Sequence, residues 1–145
     1  MDIETIKQYV QKDLQINDAE LDGESLRIPQ LHNKYLNILH DEKLILQSLR
    51  VKRRILLREK WEYYTGKMDQ DTLTKKGWEP FNLKILKQDV DMYLESDSDM
   101  MTIESKLFLQ EEKVNFLQET IKVINNLQWH IRDAIAWRKF VNGVN

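Results

Sequence analysis

The chain has 145 residues and a formal net charge of −2; 32 % of its residues are charged, and it contains four Gly, two Pro and no Cys. That size predicts one domain with a modest core, and the scarcity of helix breakers predicts long helices rather than a β-sandwich or a disordered chain. Without Cys, disulfides, thiolate metal sites and a Cys nucleophile are excluded.

Residues 1–28 form an acidic N-terminal segment, with seven carboxylates (Asp2, Glu4, Asp13, Asp18, Glu20, Asp22, Glu24) against Lys7, Lys12 and Arg27. Asp2 and Glu4 stand where a signal peptide would be basic and then apolar. Ile3, Ile6, Val10 and Leu14 recur at helical spacing, predicting a short amphipathic helix. Pro29 suits the first turn of the next helix, where its missing N–H costs little. No Gly or Pro follows before Gly66, so one helix of about 55 Å is expected over about 29–65. Its core stripe reads Leu31, Tyr35, Ile38, Ile45, Leu49, Leu56 and Tyr63, and Gly66 suits the residue that ends it.

Residues 66–79 read as a polar loop, with Asp69, Asp71, Lys75 and Lys76. Pro80 opens a short helix over about 80–95, whose stripe is Leu83, Leu86, Val90 and Tyr93. Ser96, Asp97, Ser98 and Asp99 are a cap-rich break before the last helix, expected over about 102–141 and about 60 Å long. There Ile103, Leu107, Gln110, Val114, Leu117, Ile121, Ile124, Gln128, Ile131, Ile135 and Arg138 alternate steps of three and four, a coiled-coil-like seam with polar interruptions. A second stripe contains Leu109, Phe116, Val123, Leu127, Ala134, Trp137 and Val141. A helix with two apolar faces needs two neighbours: the 29–65 helix supplies one and a second subunit the other, which makes Leu109, Phe116, Val123, Leu127 and Trp137 candidate oligomer-interface residues. The alternative is a single wide core face. No apolar run approaches the roughly 18 residues of a membrane span. The expectation is a soluble, intracellular all-α protein: one domain over 1–145, two long antiparallel helices, and no membrane partner.

The most informative stretch runs from Arg50 to Lys67. Seven basic residues (Arg50, Lys52, Arg53, Arg54, Arg58, Lys60, Lys67) stand against Glu59 and Glu62, a local charge of +5 in an acidic chain. On a helical wheel with Arg50 at zero, Arg54 and Arg58 fall at about 40° and 80°, Arg53 at about 300° and Lys60 at about 280°. Trp61 lands at about 20° and Tyr64 at about 320°, among the cations, with Lys52 at about 200° apart from them. Val51, Ile55, Leu49, Leu56 and Tyr63 take the other side. Cations interleaved with flat rings suit single-stranded nucleic acid, because phosphates need neutralising and unpaired bases expose faces that stack. No helix-turn-helix, zinc-finger or RNA-recognition signature occurs, so binding should be sequence-tolerant. The bland alternative is a solvated cationic face with Trp61 and Tyr64 in the core.

The run Arg58-Glu59-Lys60-Trp61-Glu62-Tyr63-Tyr64-Thr65-Gly66 resembles the motif that ends a long helix in the UvsY family of T-even-type phage recombination mediators. The likeness continues through the polar loop with Asp69 and Asp71, the amphipathic stretch and the last long helix. It maps the family's two DNA-contacting basic positions onto Arg58 and Lys60. Their Lys and Arg identities are exchanged relative to the family pattern, and Trp61 replaces a smaller apolar residue, so its stacking role is read from this sequence. The resemblance implies a ring-like hexamer or heptamer in the host cytoplasm. It also implies a non-enzymatic role in which the protein binds single-stranded DNA, helps displace the phage single-stranded DNA-binding protein and loads a UvsX-type recombinase. DNA contacts are thus expected from Arg58, Lys60, Arg54, Arg53, Arg50, Trp61, Tyr64 and Lys67.

The acidic block Asp89, Asp91, Glu95, Asp97, Asp99 and Glu104 would repel DNA. It is expected to lie away from the strand, to pair with a basic neighbour, or simply to cap a helix start. Its spacing lacks the Gly and terminal Glu of an EF-hand. Gly66-Lys67 lacks the rest of a P-loop, and His32, His40 and His130 are not at metal-ligand spacing. No cofactor, metal or catalytic constellation is expected. The competing reading is a coiled-coil scaffold whose basic face docks an acidic protein.

Overall fold

The computed structural model describes residues 1–143; the last two residues of the expected 1–145 domain lie outside the described residues. Five α-helices follow in order: α1 (Ile3–Asp13), α2 (Leu21–Tyr64), α3 (Gln70–Lys76), α4 (Val90–Glu95) and α5 (Ser98–Val141), with a 3-10 turn at Lys87–Asp89 leading into α4. No strand occurs among the described residues. The fold is all-α and built on one long helix pair, as expected. No helix among the described residues is long and apolar enough to cross a membrane.

Both long helices have 44 residues, and both start earlier than expected. α2 begins at Leu21, with Pro29 inside it. An interior Pro removes one backbone hydrogen bond and costs about 3 kcal/mol, but Leu21, Ile28 and Leu31 around it are all buried. Each buried aliphatic side chain contributes about 1.5–3 kcal/mol, enough to carry the helix through the Pro. α5 starts at Ser98 because Asp97 caps it: the Asp97 Oδ1 accepts from the N–H groups of Asp99 (2.9 Å) and Met100 (3.0 Å).

The chain forms two compact units, one of residues 1–43 with 112 onward, the other of Leu44–Glu111. In the first, α1 contributes Ile6, α2 contributes Leu31, Tyr35 and Leu39, and α5 contributes Val114, Leu117, Ile124, Leu127 and Ile131 to the core. The end of α1 is tied down by Asp13, whose carboxylate accepts from Lys34 Nζ (2.6 Å) and the Tyr35 hydroxyl (2.8 Å). Burial opposes ionisation of Asp13, yet those two donors hold it below the usual carboxylate range. Arg27 donates to the carbonyls of Asp13 (2.8 Å) and Gln15 (3.1 Å).

In the second unit α2 and α5 are antiparallel: Arg50 pairs with Glu111 (3.6 Å) and Arg53 with Glu104 (3.0 Å), in reverse chain order. Leu46, Leu73, Val90, Leu94, Met100 and Leu107 are buried here. Ile45, expected in the core stripe, is exposed and Leu46 is buried in its place. The expected 66–79 loop contains α3, opened by Asp69, whose Oδ1 accepts from the Thr72 N–H at 2.7 Å, and closed by Gly77 at φ 68°. Of the expected 80–95 helix only 87–95 is helical, and Leu83 and Leu86 are exposed rather than a core stripe. Instead Phe81 packs edge-on against Tyr64 (5.0 Å) and Tyr93 (5.6 Å). Aromatic burial of this kind outweighs the weak helix propensity of so short a segment.

Candidate nucleic-acid interface

The basic stretch lies on the last turns of α2, and its orientation differs from the expected wheel. Buried or half-buried positions include Leu46, Leu49, Arg53, Leu56, Lys60 and Tyr63, which recur at heptad-like steps of three and four. The side turned inward is therefore the arc from about 220° to 320°, and Val51 and Ile55 face solvent. Arg53 and Lys60, expected on an open cationic face, occupy inward positions. The acidic block meets them there, with Glu104 on Arg53 and Asp97 and Asp99 on Lys60.

Lys60 is only 5 % exposed. Its ammonium lies 3.1 Å from Asp97 Oδ2 and 2.8 Å from Asp99 Oδ2, and 3.9 Å from the centre of the Trp78 ring. The Tyr64 hydroxyl donates to the same Asp97 oxygen at 2.6 Å. Burial works against the Asp97 charge, but the donors from Tyr64, Met100 N–H and Lys60 prevail and keep its carboxyl below the ordinary range. Burial, then the hydrogen bond to Asp97, push the Tyr64 phenol upward. The Tyr63 hydroxyl donates to the Glu79 carbonyl at 2.5 Å, and the Tyr63 ring meets Trp78 at 5.4 Å. Tyr63, Tyr64, Lys60, Trp78 and Asp97 thus form one interlocked cluster that joins the end of α2 to the start of α5.

The other side of α2 is open. Arg58 has a side chain 73 % exposed, with only a loose approach to Glu62 at 4.0 Å. Arg54 is exposed and has no ion-pair partner among the described residues; Lys52 is exposed as well but about 160° round the helix from Arg54, away from this side. Trp61 is 39 % exposed. Arg54, Leu57, Arg58 and Trp61 line a shallow hollow of about 410 Å³ with Asp91 and Leu94. Gly66 at φ 74° ends the helix, and the N–H groups of Lys67 and Met68 both donate to the Glu62 carbonyl (2.8 and 3.2 Å). That reversal returns the Lys67 ammonium over the Trp61 ring, 4.4 Å from its centre. Arg54, Arg58, Trp61 and Lys67 thus come together on the open side; Arg50 and Arg53 are engaged with α5, and Lys60 and Tyr64 with Asp97.

The sequence reading missed Trp78 and Asp97 as the groups that hold Lys60. The spacing 49-53-56-60-63 carried that signal, because it continues the seam through two cations and so demands buried counter-charges. Among the candidate interface residues, Leu109 and Trp137 are each 65 % exposed, Val123 is exposed and Phe116 is half-buried. Leu127 is instead buried in the core of its own unit. No cluster of His, Asp or Glu among the described residues is arranged to hold a metal.

Residues 9–144 match the family described as "Recombination, repair and ssDNA binding protein UvsY". The recombination protein uvsY of Enterobacteria phage T4 is 21 % identical over 143 residues, covering 99 % of each chain. Crystal structures of the bacteriophage T4 recombination mediator protein UvsY superpose on the fold with a TM-score of 0.86 in two lattices, at 20 % identity. One covers 97 % of this chain and 99 % of that one, the other 98 % of both. The match runs through both units, the basic end of α2 and the aromatic cluster beneath it, and on that ground this chain belongs to the UvsY family.

Proposed function

We propose that this protein binds single-stranded DNA without sequence preference and acts as a non-enzymatic recombination mediator, helping a recombinase onto DNA that is coated with a single-stranded DNA-binding protein. The observation that carries the reading is the open side of α2, where Arg54, Arg58 and Lys67 surround a partly exposed Trp61. Cations there neutralise phosphates and the indole gives a base a face to stack on. Arg50 and Arg53 have their charge offset by Glu111 and Glu104, and Lys60 and Tyr64 act by holding the helix end in place.

One such face makes few phosphate contacts, and affinity falls with salt at a log–log slope of about −0.7 per phosphate neutralised. Several faces on one assembly raise avidity by orders of magnitude, which is why we assign the exposed Leu109, Val123 and Trp137 to contacts between copies of this chain. The test is binding of labelled oligo-dT across a salt series. Arg54→Ala/Arg58→Ala should weaken binding and reduce the salt slope by about 1.4, with helicity and assembly size unchanged. Wild-type protein that ignores oligo-dT even at low salt would leave the scaffold reading in its place.

A further inference from the structure

Beside the open face, and within the same unit, lies a larger cleft of about 870 Å³. One wall is the end of α2 with Trp61, Tyr64 and Lys67; the other is the non-helical segment after Pro80, with Phe81, Lys84 and Lys87. No Asp or Glu lines it, although the chain as a whole is acidic. Lys84 and Lys87 are exposed and have no ion-pair partner among the described residues. Tyr64 gives its hydroxyl to Asp97 and meets Phe81 edge-on, so this part of the wall is ring rather than hydroxyl. The volume falls in the range of about 300–1,000 Å³ typical of small-ligand sites.

We propose that this cleft seats one nucleotide of the bound strand, with its base against Trp61 and Phe81 and its flanking phosphates on Lys67, Lys84 and Lys87. The inference rests on the single-stranded DNA reading above and adds two contact residues from a different part of the chain. Its geometric support is Trp61, which lines both the cleft and the hollow of Arg54 and Arg58. A strand leaving Arg58 past the indole passes one carboxylate, Asp91, in the hollow and none in the cleft, whereas the opposite side of α2 is lined by Glu104, Asp97 and Asp99. The non-helical course of residues 80–86 also acquires a use. It places Phe81, Lys84 and, just beyond it, Lys87 along the cleft. An acidic peptide would satisfy the lysines but would leave the ring wall without a partner.

The experiment uses the full chain and three probes: oligo-dT, an abasic oligonucleotide of equal length, and poly-glutamate. Lys84→Ala/Lys87→Ala should weaken oligo-dT binding and lower the salt slope by about 1.4, two phosphates' worth. Lys52→Ala/Lys106→Ala removes the same charge from exposed positions outside the cleft and should change the slope far less. The abasic strand should bind more weakly than oligo-dT to wild type, and Trp61→Ala should narrow that gap. If wild type binds oligo-dT and the Lys84/Lys87 variant loses no more than the Lys52/Lys106 control, the cleft is not the site, while the Arg54–Arg58 face stands. If the variant loses poly-glutamate but keeps oligo-dT, the cleft is a protein-docking site and the proposal fails. If wild type binds no oligo-dT, both readings fall together.

Discussion

Lys60→Ala should destabilise the fold severely, because the substitution strands a buried carboxylate. The Lys60 and Asp97 side chains are 6 % and 5 % exposed, while Asp99 is 53 % exposed. Removing one member of a buried ion pair costs about 3–5 kcal/mol. Asp97 retains the Tyr64 hydroxyl and the N–H groups of Asp99 and Met100, and the half-exposed Asp99 recovers water. The loss therefore sits at the low end, about 3 kcal/mol, of which the ammonium over Trp78 supplies about 1. That corresponds to a fall in Tm of about 6–12 °C for a chain of this size, read by circular dichroism at one fixed protein concentration, because assembly makes Tm concentration-dependent. Asp97→Asn in the same background should restore part of the loss, giving a coupling above about 1 kcal/mol. A Lys60→Ala protein with unchanged Tm and abolished oligo-dT binding would refute the reasoning, since Lys60 would then be a DNA contact and not a buried strut.

Alkaline titration followed at 295 nm should show Tyr35 and Tyr64 ionising above the ordinary phenol range. Both phenols are raised by burial and by donation to a carboxylate, so their stabilising effect is complete below about pH 10 and is lost as pH rises through the folded value. At the acid end Asp13 and Asp97 are lowered in the folded state. Their contribution is present above about pH 4, the unfolded value, and is lost as pH falls through the lower folded one; Asp97→Asn should flatten the acid limb of a urea-midpoint series. Gly66→Ala meets no neighbouring atom but must hold φ 74°, a cost of about 1–2 kcal/mol, and by displacing Lys67 it should weaken oligo-dT binding as well. Leu109→Asp or Trp137→Asp should lower the native assembly mass measured by light scattering without changing helicity, whereas Leu127→Asp should unfold the chain.

The two long helices were legible because 3.6-residue periodicity persists over long uninterrupted runs and is averaged over many residues, whereas the seven-residue α3 in the expected loop was not. Boundaries depended on single interactions and were less so. Pro29 reads as a start, yet the burial of Leu21 and Ile28 carries α2 through it. Asp97 was visible as one of several cap candidates, but only its contacts with Asp99 and Met100 N–H select it. Residues 80–86 carry helical spacing at Leu83 and Leu86, and tertiary packing of Phe81 overrides it. The Arg54, Arg58 and Trp61 grouping was readable from the wheel. Its inward limit was not, because Arg53 and Lys60 score as surface residues until their partners on a remote segment, Glu104, Asp97 and Asp99, are in view.

The helix itself explains why Arg58 and Lys60 take different roles. Residues two apart on an α-helix point about 200° away from each other, so a basic-x-basic pair cannot lie flat on one ligand. When one member faces outward the other faces the seam, and here the seam side is Lys60, beneath Trp78. A buried ammonium is tolerable only with counter-charge, and the acidic block at the start of α5 supplies it. Asp97 and Asp99 are thereby drawn to Lys60 and partly neutralised, while Arg54, Arg58 and Lys67 keep their charge outside, with Asp91 beside the two arginines. The two halves of the motif are coupled: the inner cation fixes the helix end and holds Asp97 and Asp99, and the outer cation lies on a surface that keeps Asp91 but not those two. Exchanging Lys60 for a neutral residue should therefore weaken oligo-dT binding only to the extent that it unfolds the helix end, with affinity tracking the folded fraction across a urea series.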